Sequence, residues 1–527
     1  MVARRQITTA ALVIMVGNAV SRLLGLLREG VMAWLFGAQH ETDAFVAAFT
    51  LPTIVFDLFV GAAISAALVP VLVDVASDRA RAWRLLSSLL NCIGLVLILV
   101  CALLAVLAPG VIALLGSRFD APTQARAVEM VRPMLVAVVL QGLAGVLMAN
   151  LYARERFALP AFSPAVFNAG IIVSALVLQA TLGIHALVLG VVLGAAAQLA
   201  LQALGQGGFS YRPVLELSPE VRGVLRLYAP VALGMLVTIV GIVIDRNLAS
   251  GLEEGSMTVM NYATRLIQFP LGLVATATAF AVLPRLASQA GATLSGAVTS
   301  NSVEYRETLV FGLKIVLFLM LPATLGLVVL REPLVQLLCE RGAFTDRDTA
   351  RTALVFLAYA PQLPLTALDQ LLIFAFYARK NTRTPVLIGV VGVGLYVAVA
   401  LPAVGPLGLG APGLALANAV QNGGHGLILL ALMRREIGFF GGGLAGFASR
   451  ALLASLAMGA LLELTRSFVQ PGLPAGGLPL TVFLLGSAVL GVGCFLLFSY
   501  ALGLGKGLGG WGNWPGPPKP LTPNPSL

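Results

Sequence analysis

Residues 7–36 read ITTAALVIMVGNAVSRLLGLLREGVMAWLF, an apolar run interrupted by two arginines and one glutamate. A helix needs about 20 mostly apolar residues to cross a bilayer, and this run is longer. The preceding residues, Met1–Gln6, offer no convincing cleavage site. We therefore interpret the run as an uncleaved first membrane helix.

The composition extends this interpretation to the whole chain. Of its 527 residues, 58% are hydrophobic and only 11% are charged, whereas a soluble protein carries roughly 25% charged residues. The net charge of +10 comes from short basic clusters between apolar runs, so we expect no nucleic-acid partner. The four cysteines lack metal-type spacing and the three histidines lie apart, so we expect neither a metal site nor a catalytic cluster.

The apolar runs predict an all-α polytopic membrane protein with about fourteen transmembrane helices. Lysine and arginine favour the cytoplasmic loops, and here they concentrate in the even-numbered loops. We therefore expect a multi-pass membrane protein with both termini in the cytoplasm. The predicted segments are 7–36, 44–75, 86–107, 128–152, 160–182, 186–204, 224–248, 257–286, 308–330, 350–376, 385–401, 407–433, 444–464 and 480–504.

An internal repeat predicts two lobes. Tyr152-Ala153-Arg154 followed by Pro160 recurs as Tyr377-Ala378-Arg379 followed by Pro385, with the same spacing. Six segments separate the copies, which favours parallel repeats with a substrate site between them; recurrence by chance is the alternative. The predicted domains are an N-terminal lobe (1–206), a cytoplasmic linker (207–223), a C-terminal lobe (224–436), two further helices (437–504) and a disordered Gly/Pro-rich tail (505–527).

Polar residues share one side of the first segment. At about 100° per residue, Asn18, Arg22 and Glu29 fall on a stripe roughly 60° wide, with Arg28 on its shoulder. Arginine is costly at mid-membrane, so such a stripe is typical of a helix that lines a cavity. The alternative is a span that ends near Leu27, with Arg28 and Glu29 at the interface.

The eighth segment repeats the pattern with Asn261, Arg265 and Gln268. An arginine fork suits phosphate or pyrophosphate and stays charged at any working pH. These arginines therefore predict a transporter of an anionic substrate. The alternative is a structural ion pair between Arg265 and either Asp43 or Glu29.

Acidic residues could couple transport to an ion. Asp245 precedes Arg246 in segment seven, and Asp369 lies in segment ten. We expect no bound cofactor. Asp245 and Asp369 are candidate residues for coupling transport to a Na⁺ or proton gradient, or to the membrane potential. Alternatively, Asp245 and Arg246 neutralise each other at the interface.

The chain resembles the MurJ (MviN) family of lipid II flippases in the MOP superfamily. The resemblance is carried by Ser21-Arg22-Leu23-Leu24-Gly25-Leu26-Leu27-Arg28-Glu29, Phe36-Gly37-Ala38, Asp43-Ala44-Phe45, Leu51-Pro52, Tyr262-Ala263-Thr264-Arg265-Leu266 and Phe269-Pro270. It implies a protein of the bacterial inner membrane with fourteen helices, two lobes around a cationic cavity, and a groove at the last two helices for a polyprenyl tail. It also implies flipping roles for Arg22, Arg28, Asp43 and Arg265.

The chain departs from the family pattern in its second segment. Where the family often has Asn, an arginine pair and Glu-Gly, this sequence has Thr53, Phe56-Asp57 and Gly61-Ala62, and Gln268 stands where some members have glutamate. We therefore expect a cationic site with fewer arginines than the family usually has.

We predict a monomeric flippase, not an enzyme, that carries undecaprenyl-pyrophosphate-linked muropeptide (lipid II) to the outer leaflet by alternating access. The predicted substrate-binding residues are Asn18, Arg22, Arg28, Glu29, Asp43, Arg265 and Gln268. A flippase for another polyprenyl-pyrophosphate-linked saccharide, or a MATE-like cation-coupled exporter, is the alternative. A membrane glycosyltransferase would need a larger polar outer loop, and a scaffold has no use for arginines at mid-span.

Overall fold

A computed structural model describes residues 2–61, 68–75, 78–208, 210–216, 218–294, 300–438, 443–472 and 477–507. Every regular element in these ranges is helical. The helices are α1 (Val2–Phe36), α2 (His40–Phe56), α3 (Val69–Asp74), α4 (Arg79–Leu115), α5 (Ala121–Ala153), α6 (Ala158–Leu182), α7 (His185–Leu204), α8 (Pro219–Ala249), α9 (Ser256–Leu294), α10 (Ser300–Val329), α11 (Arg331–Cys339), α12 (Asp346–Tyr359), α13 (Gln362–Ala378), α14 (Arg383–Val404), α15 (Gly410–Ile437), α16 (Gly443–Val469), α17 (Gly477–Ala501) and α18 (Leu504–Gly507).

The fold class predicted from the sequence, a polytopic helical membrane protein, is confirmed. Among the described residues, nine helices are long and apolar enough to cross a membrane. The count of about fourteen stays a prediction, as does the division into two lobes. The predicted disordered tail lies outside the described residues from residue 508 onward.

Two predicted segments are not single helices. Segment two consists of α2, a wider π-helical turn at Asp57–Gly61 and, beyond residues that are not described, α3. Segment ten consists of α12, which ends at Tyr359, and α13, which begins at Gln362. Pro361 caps α13 and has no backbone donor to continue the preceding helix, which accounts for the break.

The first of two compact units contains residues 1–269, 331–360 and 386–425. Glycines bring its helices close together: a Cβ on Gly170 of α6 would lie 2.5 Å from the Cα of Gly194 in α7. A Cβ on Gly17 of α1 would lie 2.6 Å from the Cβ of Ala161 in α6. Small residues at helix crossings let backbones approach within a membrane. This packing fixes α1 and α6 relative to each other.

A tight turn connects α1 to α2 in this unit. Gly37 adopts a φ of 64°, and a Cβ there would lie 2.5 Å from the Ala343 carbonyl oxygen, so both conformation and space require glycine. The Ala343 amide donates to the Trp34 carbonyl at 2.9 Å. The hydroxyl of buried Tyr262, on α9, donates to the Gly37 carbonyl at 3.2 Å. These contacts hold the C-terminal end of α1 against the start of α9.

The second unit contains residues 270–330, 361–385 and 426–527. Its core is built by α16 and α17, with Phe447, Met458 and Phe495 buried. Phe318 of α10 packs on Phe495 with ring centroids 5.0 Å apart. The Lys314 ammonium lies 5.7 Å from the Phe447 ring centroid, so the apolar core has a cationic edge.

Candidate anion-binding site

The carboxylate of Glu29 is the centre of a charged cluster in the first unit. Glu29 lies on α1 and is only 4% exposed. Its Oε1 is 2.5 Å from Arg28 Nη2 and 3.5 Å from Arg265 Nε, and its Oε2 accepts from Asn261 Nδ2 at 3.1 Å. The stripes on segments one and eight therefore face each other. A buried carboxylate partly offsets the cost of two arginines within the membrane.

Arg28 makes further contacts on the other side of its guanidinium. Its Nη1 donates to Asn168 Oδ1 of α6 at 3.1 Å, and Asn168 Nδ2 donates back to the Ser21 carbonyl at 3.4 Å. The guanidinium carbon lies 5.9 Å from the Phe49 ring centroid on α2. Three helices therefore fix the direction of this side chain. The helix α1 continues past Leu27 to Phe36, so Arg28 and Glu29 lie within it; where its membrane-crossing part ends stays a prediction.

Arg22 and Arg265 meet on Gln268. The Nη1 of Arg22 donates to the Gln268 main-chain carbonyl at 2.9 Å, and Arg265 Nη1 donates to Gln268 Oε1 at 3.3 Å. Gln268 has an amide where some members of the family have glutamate, so it accepts from Arg265 without a negative charge. Arg22 thus ties α1 to the backbone of α9, one turn from Arg265.

These groups border a cavity of about 300 Å³ within the first unit. Arg28, Glu29 and Arg265 line it, whereas Arg22 does not. The remaining lining residues are Met32, Phe45, Val46, Phe49, Thr50, Thr53, Ile54, Asp57, Ile171, Leu187, Ile242, Arg246, Asn261, Thr264 and Gln268. Apolar walls with a few converging polar groups are typical of ligand sites.

The lining carries three arginines and two carboxylates, a formal charge of +3 − 2 = +1. Low-dielectric walls strengthen the field of this excess positive charge. In the described part of the chain, no group of three or more His, Cys, Asp or Glu is placed to hold a metal ion. The arrangement suits an anion with several oxygen acceptors, such as a phosphate ester.

Sequence reasoning missed the third arginine of the cavity, Arg246 on α8. The alternative in which Asp245 and Arg246 neutralise each other is not accompanied by an ion pair between them within the described residues. The Asp245 carboxylate instead accepts from the Tyr396 hydroxyl at 2.7 Å, and Arg246 lines the cavity. The side chains of adjacent helical residues point about 100° apart. This geometry indicates different surroundings for Asp245 and Arg246, although their neighbouring positions in the sequence suggest a pair.

Asp43 does not line the cavity but anchors the start of α9. Its carboxylate is buried and accepts three hydrogen bonds: from the Gly255 amide at 2.8 Å, the Thr258 amide at 2.8 Å and the Thr258 hydroxyl at 2.6 Å. A carboxylate at a helix N-terminus satisfies free amides and favours the helix dipole. Asp43 is therefore positioned to hold α2 against α9 and not to touch a ligand in the cavity.

Two predicted site residues lie elsewhere. Asn18 is exposed on α1 and is not part of the cavity lining. Asp369 belongs to α13 in the second unit. The Cβ of Asp369 lies 3.1 Å from the position that a Cβ on Gly426 would occupy. The structure thus brings together Arg28, Glu29, Arg265 and Gln268, with Arg22 adjacent.

Comparisons with known proteins identify one family. Residues 32–484 match the family model described as lipid II flippase MurJ. The lipid II flippase MurJ of Burkholderia cenocepacia is 30% identical over 386 residues, covering 70% of this chain and 73% of the relative. The probable lipid II flippase MurJ of Bdellovibrio bacteriovorus is 29% identical over 446 residues, covering 82% of this chain and 83% of the relative.

Solved structures give the same fold. A lipid II flippase MurJ in an inward closed conformation matches with a TM-score of 0.77 at 23% identity, covering 93% of this chain and 98% of that one. An inward-facing multidrug resistance MATE transporter of the MOP superfamily matches with a TM-score of 0.65 at 15% identity, covering 81% and 98%. With the family model spanning most of the sequence, the chain is a multi-pass bacterial membrane protein that belongs to the lipid II flippase MurJ family.

Proposed function

We propose that this chain carries lipid II, the polyprenyl-pyrophosphate-linked precursor of peptidoglycan, from the inner to the outer leaflet of the cytoplasmic membrane. The observation that carries the proposal is the arginine pair that shares Glu29 at the edge of a cavity in a membrane protein of this family. Phosphate oxygens are the natural partners of such arginines. Translocation makes and breaks no covalent bond, so the chain acts as a transporter and not as an enzyme.

The proposed binding step is an exchange of partners. In the structure, the guanidinium groups of Arg28 and Arg265 contact the Glu29 carboxylate. A pyrophosphate entering the cavity offers more oxygens than one carboxylate does, and would take over donors that now point at Glu29. Arg22 supports this step indirectly, since its bond to the Gln268 carbonyl positions the turn of α9 that carries Arg265.

For the driving force, we propose coupling to a Na⁺ or proton gradient, or to the membrane potential, with Asp245 or Asp369 as the responsive carboxylate. Asp245 is held by a neutral donor, the Tyr396 hydroxyl. A carboxylate in that setting is not neutralised by its partner and remains able to attract a cation. We further propose that both termini lie in the cytoplasm, on the basis of the basic even-numbered loops, and that the chain acts as a monomer.

A MATE-like exporter shares the fold, so fold alone does not separate the two functions. The charge of the cavity favours the flippase. An exporter of cations favours carboxylates as its central charges, whereas this lining has more arginines than carboxylates. A flippase for another polyprenyl-pyrophosphate-linked saccharide would use the same cationic cavity. An experiment must therefore identify which lipid-linked saccharide the chain carries.

The test is complementation of cells depleted of their own lipid II flippase, combined with an assay of lipid II appearing at the outer leaflet. We expect the wild-type chain to sustain growth, and Arg28→Ala and Arg265→Ala to fail at equal membrane abundance. Arg222→Ala is the matched control, because Arg222 is exposed near the start of α8, outside the cavity. Growth and normal lipid II translocation in both cavity variants would refute the assignment. Translocation of a different lipid-linked saccharide, but not of lipid II, would establish the alternative.

A further inference from the structure

Arg246 differs from the other two arginines of the cavity because it forms no ion pair within the part of the chain that the structure describes. Arg28 and Arg265 lie 2.5 Å and 3.5 Å from the same Glu29 oxygen. The Nε of Arg246 is buried and donates to no acceptor within the described residues. A buried donor without an acceptor is costly, and an unpaired cation in a membrane protein is more so. Such a group is usually retained for a ligand.

Neither Asp245 nor Asp57 forms an ion pair with Arg246 within the described residues. The chain neighbour Asp245 accepts a hydrogen bond from the Tyr396 hydroxyl at 2.7 Å. Asp57 lines the same cavity, and its charge attracts Arg265. Arg246 and Arg265 repel each other, since both contribute positive charge to one small cavity. An anion placed between them would relieve that repulsion and supply the missing acceptor.

The second helix contributes no cation to this wall. The polar lining residues of α2 and its following turn are Thr50, Thr53 and Asp57. The positive charge therefore comes from two places: the Glu29 cluster, on α1 and α9, and Arg246 on α8. Two separate cationic positions match a ligand with two anionic groups better than a ligand with one.

We propose that Arg246 binds one phosphate group of the pyrophosphate, while Arg28 and Arg265 bind the other, and that Arg246 thereby selects a diphosphate over a monophosphate lipid. This inference rests on the proposed function and names a residue that determines specificity at the same site. Arg246 supplies from α8 a charge that α2 does not provide.

The experiment measures binding of two soluble short-chain probes, farnesyl pyrophosphate and farnesyl monophosphate, to the purified full-length protein in detergent by isothermal titration calorimetry. We expect the wild type to prefer the diphosphate. Arg246→Ala should weaken diphosphate binding about tenfold, the loss of one charge-assisted contact, and leave monophosphate binding within about twofold. Arg222→Ala, exposed on the same helix, should bind both probes like the wild type.

Conservative variants keep the inference testable if Arg246→Ala does not stay monodisperse. Arg246→Gln should lose the diphosphate preference, whereas Arg246→Lys should keep part of it, because lysine retains the charge but not the fork. Unchanged diphosphate affinity in Arg246→Gln, or an equal loss for both probes, would overturn the inference. A wild type that prefers the diphosphate but fails to translocate lipid II would overturn the proposed function and leave the role of Arg246 standing.

Discussion

The Asp43 carboxylate accepts a 2.6 Å hydrogen bond from the hydroxyl of Thr258, and the amide of the same threonine donates to it at 2.8 Å. One residue thus uses both of its donors on one buried oxygen, Oδ1. The other oxygen, Oδ2, receives the Gly255 amide. The whole carboxylate is used to connect α2 to the start of α9.

We predict that Asp43→Asn lowers the free energy of unfolding by about 1–3 kcal/mol, because one acceptor oxygen becomes an amide donor facing a backbone N–H. Thr258→Val should cost less, since the backbone bond survives, and the double variant should show coupling of at least about 0.5 kcal/mol. Unfolding of the purified protein in detergent measures all three. Additive effects of the two substitutions would contradict a direct Asp43–Thr258 interaction.

Glu29→Gln should change stability and ligand affinity in opposite directions. Without the carboxylate, Arg28 and Arg265 share a poorly solvated site. We therefore expect the free energy of unfolding to fall by up to about 3 kcal/mol. This is the low end of the range for a broken buried ion pair, because Arg265 is partly exposed. Binding of farnesyl pyrophosphate should tighten because Glu29 no longer competes for Arg28 and Arg265. Calorimetry and thermal unfolding on the same sample check both signs. Glu254→Gln, an exposed site that pairs with His40, is the control, and weaker diphosphate binding by Glu29→Gln would contradict the exchange of partners.

The crossing of α6 and α7 should tolerate no added methyl group. Gly170→Ala would place a Cβ 2.5 Å from the Gly194 Cα, which the backbone can accommodate only by shifting. We expect a loss of about 1–3 kcal/mol in the free energy of unfolding, typical of overpacking. Gly486→Ala on α17 is the matched control, because nothing lies within 4 Å of its Cβ. Equal stability of the two variants would mean that α6 and α7 are not packed closely.

Cys339 should react slowly, and with an unusual pH dependence, with iodoacetamide, a thiol reagent that withstands alkaline pH better than maleimides do. Burial, with a smaller effect from the nearby Glu29 charge, raises the pKa of its thiol to about 12, so only about one part in 10⁴ is thiolate at pH 8. In a variant with Cys339 as its single cysteine, the labelling rate should keep rising between pH 8 and 11 rather than level off near 9. Fast labelling at pH 8 in the folded protein would show that α11 does not bury this residue. Labelling after denaturation in detergent is the positive control.

The sequence predicted the helical membrane fold and much of the cluster because charges within apolar runs are rare and conspicuous. The stripe on α1 indicated which side of the helix is polar, and Arg28, Glu29 and Arg265 do converge. Periodicity gives the direction of a side chain but not its partner. It therefore left open whether Arg265 pairs with Glu29 or Asp43, and the structure places it at Glu29.

Arg246 shows that proximity in the sequence does not identify the partner of a charged side chain. Two adjacent, opposite charges near a helix end are as consistent with mutual neutralisation as with separate roles. The decision depends on Tyr396, a partner about 150 positions away that sequence proximity cannot reveal. The same holds for the break at Pro361, which a hydropathy count does not register, because the residues just before it (353–360) and the helix after it are mostly apolar.

Glu29 also competes with dissolved anions for Arg28 and Arg265. A pair of arginines with no carboxylate beside them would be open to chloride, inorganic phosphate and nucleotides, all abundant in a cytoplasm. Because Glu29 sits 2.5 Å from Arg28, its effective concentration at that guanidinium exceeds that of a dissolved ion. A dissolved anion must displace Glu29 from bulk solution, whereas a lipid-bound pyrophosphate brings several oxygens and a tail that holds it at the membrane. The carboxylate therefore sets an affinity threshold that favours a membrane-anchored ligand over dissolved anions.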